Sequence, residues 1–172
     1  MVKAGNWRTR LYLSIMFRVT GRAIQAAGRR DPELREIFAA LPPGFSFRLS
    51  VWPDGPELNI ETDSSTLPRY GGSKGASDPS LHMEITSPAH AMALFTFAES
   101  TTMSAARGRL VTRGDLSHAC TMVRVLDRVE TYLLPRPIAR QAVKRYESPQ
   151  KKHRMRLAVW LGIIFSRGGS RS

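Results

Sequence analysis

LHMEITSPAHAMALFTFAESTTMSAARGRLVTRGDLSHACTMVRVLDRVETYLL, residues 81–134, is the stretch that decides how this chain folds. LHMEIT alternates apolar and polar side chains with period two, as a half-buried strand does. Ser87-Pro88 supplies an N-cap and a first-turn proline for a helix through SPAHAMALFTFAES, and Ser104 and Ala105 fall in a short helix before Gly108. GRLVTRG reads as a second strand bracketed by glycine, after which Asp115 caps a long apolar helix. Two strands covered by Met- and Phe-rich helices can enclose an apolar cavity. Nothing in the stretch offers a nucleophile with a partner, a metal cluster or a phosphate loop, so the leading expectation is a protein that holds an apolar molecule.

Working toward the N-terminus, FSFRLSVW (45–52) alternates strictly, the turn signal Pro53-Asp54-Gly55-Pro56 follows, and ELNIET makes an antiparallel partner strand. Asp31-Pro32 caps a short helix with Leu34, Ile37, Phe38 and Leu41 at helical spacing, and Pro42-Pro43-Gly44 stops it. Residues 7–28 show helical periodicity, with Leu11, Ile15, Val19 and Ala23 on one face beside Tyr12, Met16 and Ala27, and Ser14, Arg18, Arg22 and Gln25 opposite. Residues 63–80 are polar and glycine-rich, and predict a loop with one short irregular strand around Arg69-Tyr70. Beyond the central stretch, Pro135 and Pro137 end the long helix and start another, roughly 138–146. KKHRMRLAVWLGIIF then sets basic residues before an apolar run, and an RGGSRS tail closes the sequence. There is no internal repeat.

The 172 residues suit one domain with an extension at each end. The net charge of +12 is unevenly spread, since residues 1–30 hold seven Lys and Arg and no acid, and 136–172 hold ten against Glu147. The central residues 31–135 carry a net −4, so the basic character sits on two arms. A single cysteine, Cys120, excludes an internal disulfide and fits a reducing compartment; among Ala119, Met122 and Val123 it is expected to be a buried, inert thiol. Arg18 interrupts the first apolar run and no small-residue cleavage site follows it, so the N-terminus is expected to be a retained helix, not a signal peptide. The uncharged run Leu157–Phe165 would rise about 14 Å as a helix, under half of a ~30 Å bilayer core.

No catalytic constellation survives inspection. GGSKG (71–75) lacks the spacing and flanking elements of a phosphate loop. His82, His90, His118 and His153 are scattered without metal-ligand spacing. Asp115 and His118 lie one turn apart, but Asp115 is better explained as a cap. Asp127 and Glu130 share a helix face with Arg124 and Arg128 close by, which predicts ordinary surface ion pairing. No metal, no cofactor and no enzymatic activity are expected.

The apolar side chains of the central stretch form the candidate ligand-binding set: Met83, Ile85, Met92, Phe95, Phe97, Met103, Leu110, Met122, Val123, Leu126 and Val129. Each alone is well explained as core. Together, unbranched Met and broad Phe suit a flexible guest, and at about 0.8 kcal/mol per buried CH₂ a hydrocarbon needs no charged anchor. The arms pair basic residues with interfacial aromatics rather than interleaving them as a nucleic-acid module would. The candidate membrane-contact residues are Trp7, Arg8, Arg10 and Tyr12, with Lys151, Lys152, Arg154, Arg156 and Trp160 in the tail. At about 1 kcal/mol per Lys or Arg near an anionic surface, several such residues give reversible attachment without a spanning segment.

DPSLHMEITSP (78–88), the helix through Phe97, and above all AARGRLVTRGDLSHACTMVRVL (105–126) resemble the lipid-binding domain of the sterol carrier protein type 2 family. In that family a Gly-Arg/Lys-Leu strand runs to a Gly-Asp/Asn step into a helix. Gly108, Arg109, Leu110, Gly114 and Asp115 match; Thr112 and Arg113 depart. With a weaker match through the hairpin, the resemblance covers about residues 31–134. It implies an α/β (α+β) domain, a mixed sheet of about five strands with helices on one face enclosing an apolar tunnel. It also implies binding of sterols, acyl lipids, phospholipids or isoprenoids, usually without chemistry. Relatives of this kind include small bacterial lipid-binding proteins and accessory factors of ubiquinone biosynthesis. The expected organisation is a basic amphipathic helix (1–30), the lipid-binding domain (31–134), and a basic helical extension and tail (135–172), the arms lying outside the common domain. The expected function is non-enzymatic carriage or presentation of a hydrophobic lipid at a membrane surface by a cytoplasmic, peripherally attached protein. The alternatives are an accessory factor working with a lipid or quinone biosynthetic enzyme, and a basic nucleic-acid-binding module.

Overall fold

The computed structural model describes residues 7–73 and 75–133. The helix and tail expected over 135–172, with Lys151, Lys152, Arg154, Arg156 and Trp160, lie outside the described residues.

Helix α1 (Trp7–Gly28) leads to α2 (Pro32–Ala39), the hairpin β1 (Ser46–Val51) and β2 (Glu57–Thr62), then β3 (Pro68–Gly72) and β4 (Leu81–Ile85). Helices α3 (Pro88–Phe95) and α4 (Thr101–Ala106), strand β5 (Leu110–Gly114) and helix α5 (Leu116–Leu133) follow. The five strands form one mixed sheet in the order β3-β2-β1-β4-β5, with β1 and β4 parallel and the other neighbours antiparallel. This is the mixed sheet that the family resemblance implies, and the irregular strand expected near Arg69-Tyr70 is β3.

Alternation in the strands decides which face the helices cover. Phe47, Leu49 and Val51 of β1 and Leu81, Met83 and Ile85 of β4 are all buried, in a sheet that α1 meets at β2 and β3 and α5 meets at β4 and β5. The intervening side chains turn to the other face, which is polar. There Arg48 meets Asn59 Oδ1 at 3.1 Å and Glu57 at 3.4 Å, and Ser50 Oγ lies 2.8 Å from His82 Nε2. One face is therefore core and the other is wet, as expected of a sheet with antiparallel hairpins.

The caps are those the sequence marks. Asp31 accepts from the Glu33 amide with Pro32 in the first turn, Ser87 accepts from the His90 amide ahead of Pro88, and Asp115 accepts from the amides of Ser117 and His118. Helix α3 stops at Phe95, earlier than the apolar pattern through 100 predicts, and Ser100 caps the separate α4. Between them Phe97 adopts a left-handed backbone (φ 60°), which a bulky side chain rarely does.

Helix α1 packs across the sheet, and its buried stripe corrects the predicted one. Leu13, Phe17, Thr20, Gly21, Ile24 and Ala27 face the core, whereas Leu11 and Ile15, expected to be inward, are 53% and 51% exposed. The reason is a close approach: a Cβ on Gly21 would stand 2.4 Å from the Tyr70 ring of β3, so only glycine lets the helix lie this low. From Trp7 onward, the expected basic arm is thus a helix with one side in the central core. Cys120 also departs from expectation. It is exposed, because α5 buries Ala119, Met122, Val125, Leu126 and Val129 and turns position 120 outward.

Candidate lipid-binding site

Where α1, β1, the end of α3, the start of α4 and the last turns of α5 converge, a small, largely enclosed cavity is lined by Thr20, Leu49, Leu94, Phe95, Phe97, Thr101, Leu126, Glu130 and Leu133. Its volume is about 10 Å³, room for about one water. Among the described residues, the space at this junction amounts to this small cavity and not to the continuous tunnel expected beneath the helices. The cause is side-chain packing, with Phe95 resting on Phe17 of α1 at a centroid separation of 4.9 Å and filling the layer between helix and sheet.

Of the residues expected to bind a ligand, Phe95, Phe97 and Leu126 line the cavity. Met83, Ile85, Leu110, Met122 and Val129 are buried in the surrounding core, and Met92 and Val123 are half-buried against it. Met103 lies on the outer side of α4, 46% exposed. Among the expected membrane-contact residues, Trp7 is 67% exposed with the Arg8 guanidinium over its ring, and Arg10 is exposed and donates to the Asp54 carbonyl. Tyr12 is half-buried and gives its hydroxyl to the Phe95 carbonyl at 3.0 Å, so it fastens α1 to the end of α3 instead of facing outward.

The polar members of the cavity are what sequence reasoning missed. Glu130 accepts a hydrogen bond from Thr101 Oγ1 at 2.7 Å, and Asp127 accepts one from Thr102. Burial pushes the Glu130 carboxyl up to about 7, the negative charge of Asp127 adds to the rise, and the Thr101 bond opposes it. The surface ion pairing expected of Asp127 and Glu130 does not form, because Arg128 turns to α2 and pairs with Asp31 at 3.0 Å and Glu33 at 2.8 Å. Asp127 Oδ1 is buried without a hydrogen-bond partner. The two carboxyl groups of α5 therefore serve α4, through the two threonines of its first turn.

The segment over the cavity is held at both ends. Glu99, whose side chain is 4% exposed, pairs with Arg107 and Arg109 at 2.7 Å each and accepts from Ser104, which joins the start of the α4 region to β5. A second hollow, an open groove of about 660 Å³ between α2 and α5, is lined by Glu33, Glu36, Ile37, Ala40, Arg124, Asp127, Arg128 and Thr131. Its charged, wide-open walls do not suit an apolar guest.

No protein-family model matches the chain, and no curated protein matches it. Solved structures do. A ubiquinone synthesis protein described as UbiJ-SCP2 is 15% identical, with 69% of this chain aligned to 96% of that one and a TM-score of 0.45. Palmitated SCP2L2 from Aedes aegypti is 16% identical over 63% of this chain and 91% of that one (TM-score 0.43). Sterol carrier protein 2 from Yarrowia lipolytica in its apo form is 14% identical over 74% and 96% (TM-score 0.41). In its mixed five-stranded sheet with helices on one face, the chain is similar to sterol carrier protein type 2 domains.

Proposed function

We propose that this protein binds a hydrophobic lipid between its helical layer and its sheet, and carries or presents it without chemically changing it. The observation that carries the reading is the apolar junction of α1, α3, α4 and α5, where Thr20, Thr101 and Glu130 sit among apolar side chains around a small unfilled space. A few placed polar groups in an apolar concavity are what a small-molecule site requires. The Gly108 to Asp115 motif adds support, because the family it resembles binds lipids.

The small cavity sets a condition on the mechanism. A ligand pocket typically needs ~300 Å³ or more, so the guest enters as the roof between Thr96 and Arg107 lifts. That roof is short and segmented between its fixed ends. It is the connection after α3, with the left-handed Phe97, and the short α4, tied to α5 by two threonine hydroxyls and to the start of β5 through Glu99 and Arg109. Burying ~10 methylenes gains roughly 8 kcal/mol, enough to outweigh the loss of the two threonine hydrogen bonds at about 0.5–3 kcal/mol each. Organic extraction of the purified chain, read by mass spectrometry, is expected to release one lipid class at near-equimolar amount. An empty extract, together with no uptake of added sterol, acyl or isoprenoid lipid, overturns the proposal.

Attachment to an anionic membrane is the second part of the reading. Trp7, Leu11 and Ile15 recur every four residues as an exposed apolar stripe on α1, and Arg8, Arg10 and Arg18 stand exposed beside it. An amphipathic face of this kind lies in the headgroup plane. Among the described residues no helix is long and apolar enough to cross a membrane.

A further inference from the structure

We propose that Glu130 is the polar anchor of the cavity and that it selects lipids ending in an uncharged hydroxyl or carbonyl over lipids ending in a carboxylate. This rests on the lipid-binding reading above and specifies its ligand.

The cavity wall is otherwise uncharged. Thr20 comes from α1, Leu49 from β1, Leu94 and Phe95 from α3, Phe97 from the segment after it, Thr101 from α4, and Leu126 and Leu133 from α5. Glu130 is the one ionisable group among these lining residues, and Asp127, one turn away on α5, is the charged group that acts on it. The nearby guanidinium of Arg128 is committed to Asp31 and Glu33, on the side of α5 that faces α2. Among the described residues, then, no cation lines the cavity to meet an anionic head.

A carboxylic acid in this setting has both hydrogen-bonding functions. Its O–H donates to a ketone, quinone, ester or alcohol oxygen, and its carbonyl oxygen accepts from an alcohol. The Thr20 and Thr101 hydroxyls offer further small polar contacts without charge. A fatty-acid carboxylate in the same place would be desolvated, would lie beside the Asp127 charge, and would lack a counter-ion. A neutral polar end is accommodated and an anionic one is rejected.

Hexadecanol, methyl palmitate and palmitate share a chain and differ only at the head, so displacement of a fluorescent acyl reporter by each near pH 7 isolates the selection. The alcohol and the ester are expected to bind roughly tenfold more tightly than palmitate, the worth of about one good neutral hydrogen bond. Glu130→Gln, which keeps a neutral hydrogen-bonding head, is expected to preserve the gap, and Glu130→Leu to narrow it by weakening hexadecanol and methyl palmitate. Ester affinity should fall as pH rises through about 7, where Glu130 loses the proton it donates, and Glu130→Gln should remove that slope. Palmitate binding as tightly as hexadecanol, or a gap unchanged in Glu130→Leu, overturns the assignment while leaving lipid binding intact. Binding of none of the three overturns both.

Discussion

Asp31 joins three parts of the fold through one carboxylate. It caps α2 through the Glu33 amide and accepts from Arg128 and from the Tyr132 hydroxyl of α5. Burial alone would raise its pKa, but the hydrogen bonds from Tyr132 and Arg128, with the Arg128 charge, outweigh burial and hold it below the ordinary carboxylate value. The stability it contributes is present above its unfolded pKa and is lost as pH falls through the lower folded one. Asp31→Ala is expected to cost about 2–4 kcal/mol in urea denaturation, combining a lost cap with a buried donor pair left unpaired. Glu130 has the opposite sign. Its folded pKa is raised, so the unfolded chain ionises first and stability declines between about 4.5 and about 7. Glu130→Gln is therefore expected to gain about 1–3 kcal/mol at pH 8 and to flatten that decline; a variant no more stable than the parent at pH 8 contradicts the burial of this carboxyl. Gly114 is held at φ 123°, and a Cβ there would stand 2.7 Å from the Ser80 carbonyl. Gly114→Ala should lose about 2 kcal/mol or more, as strained left-handed positions do.

At the scale of elements, α4 is the part whose attachment matters to function. Replacing Thr101 and Thr102 with Val removes both hydroxyl bonds to α5 at little change in volume. Amide exchange in residues 96–107 is expected to quicken while the β1 and β4 amides stay protected; uniform exchange across the fold would show that α4 is not a separately opening unit. Strands, caps and the Gly108-to-Asp115 step were legible in the sequence because each is local, a period of two or a side chain accepting from an amide two or three residues on. The face of α1 was not legible. Leu11, Ile15 and Val19 keep helical spacing as well as Leu13, Phe17 and Ile24 do, and the choice was made by Tyr70, distant in sequence, standing over Gly21. Glu130 escaped for a similar reason. Its local neighbours are arginines that suggest a solvated pair, whereas its partner Thr101 is 29 residues away. Chain length between partners, not subtlety of pattern, separates what could be read from what could not.

Across the whole molecule, two surfaces divide the work in this account. On the proposed function, the interior junction would take the lipid and the outer side of α1 would meet the membrane. Trp7→Ala combined with Leu11→Ser and Ile15→Ser should reduce flotation with anionic liposomes while leaving the fold intact, since all three side chains are exposed. High salt should weaken the remainder, which depends on arginine. Removing residues 151–172 should lower flotation further, and undiminished flotation would remove the tail from the attachment. The measurement that reaches the central claim most directly is a methyl NMR titration of the isotopically labelled protein with hexadecanol. Shifts that saturate at one equivalent and centre on Leu49, Leu94, Leu126 and Leu133 are the predicted result. Methyl signals that stay fixed at those four leucines, or move only on the outer face of α1, would contradict a lipid site inside this fold.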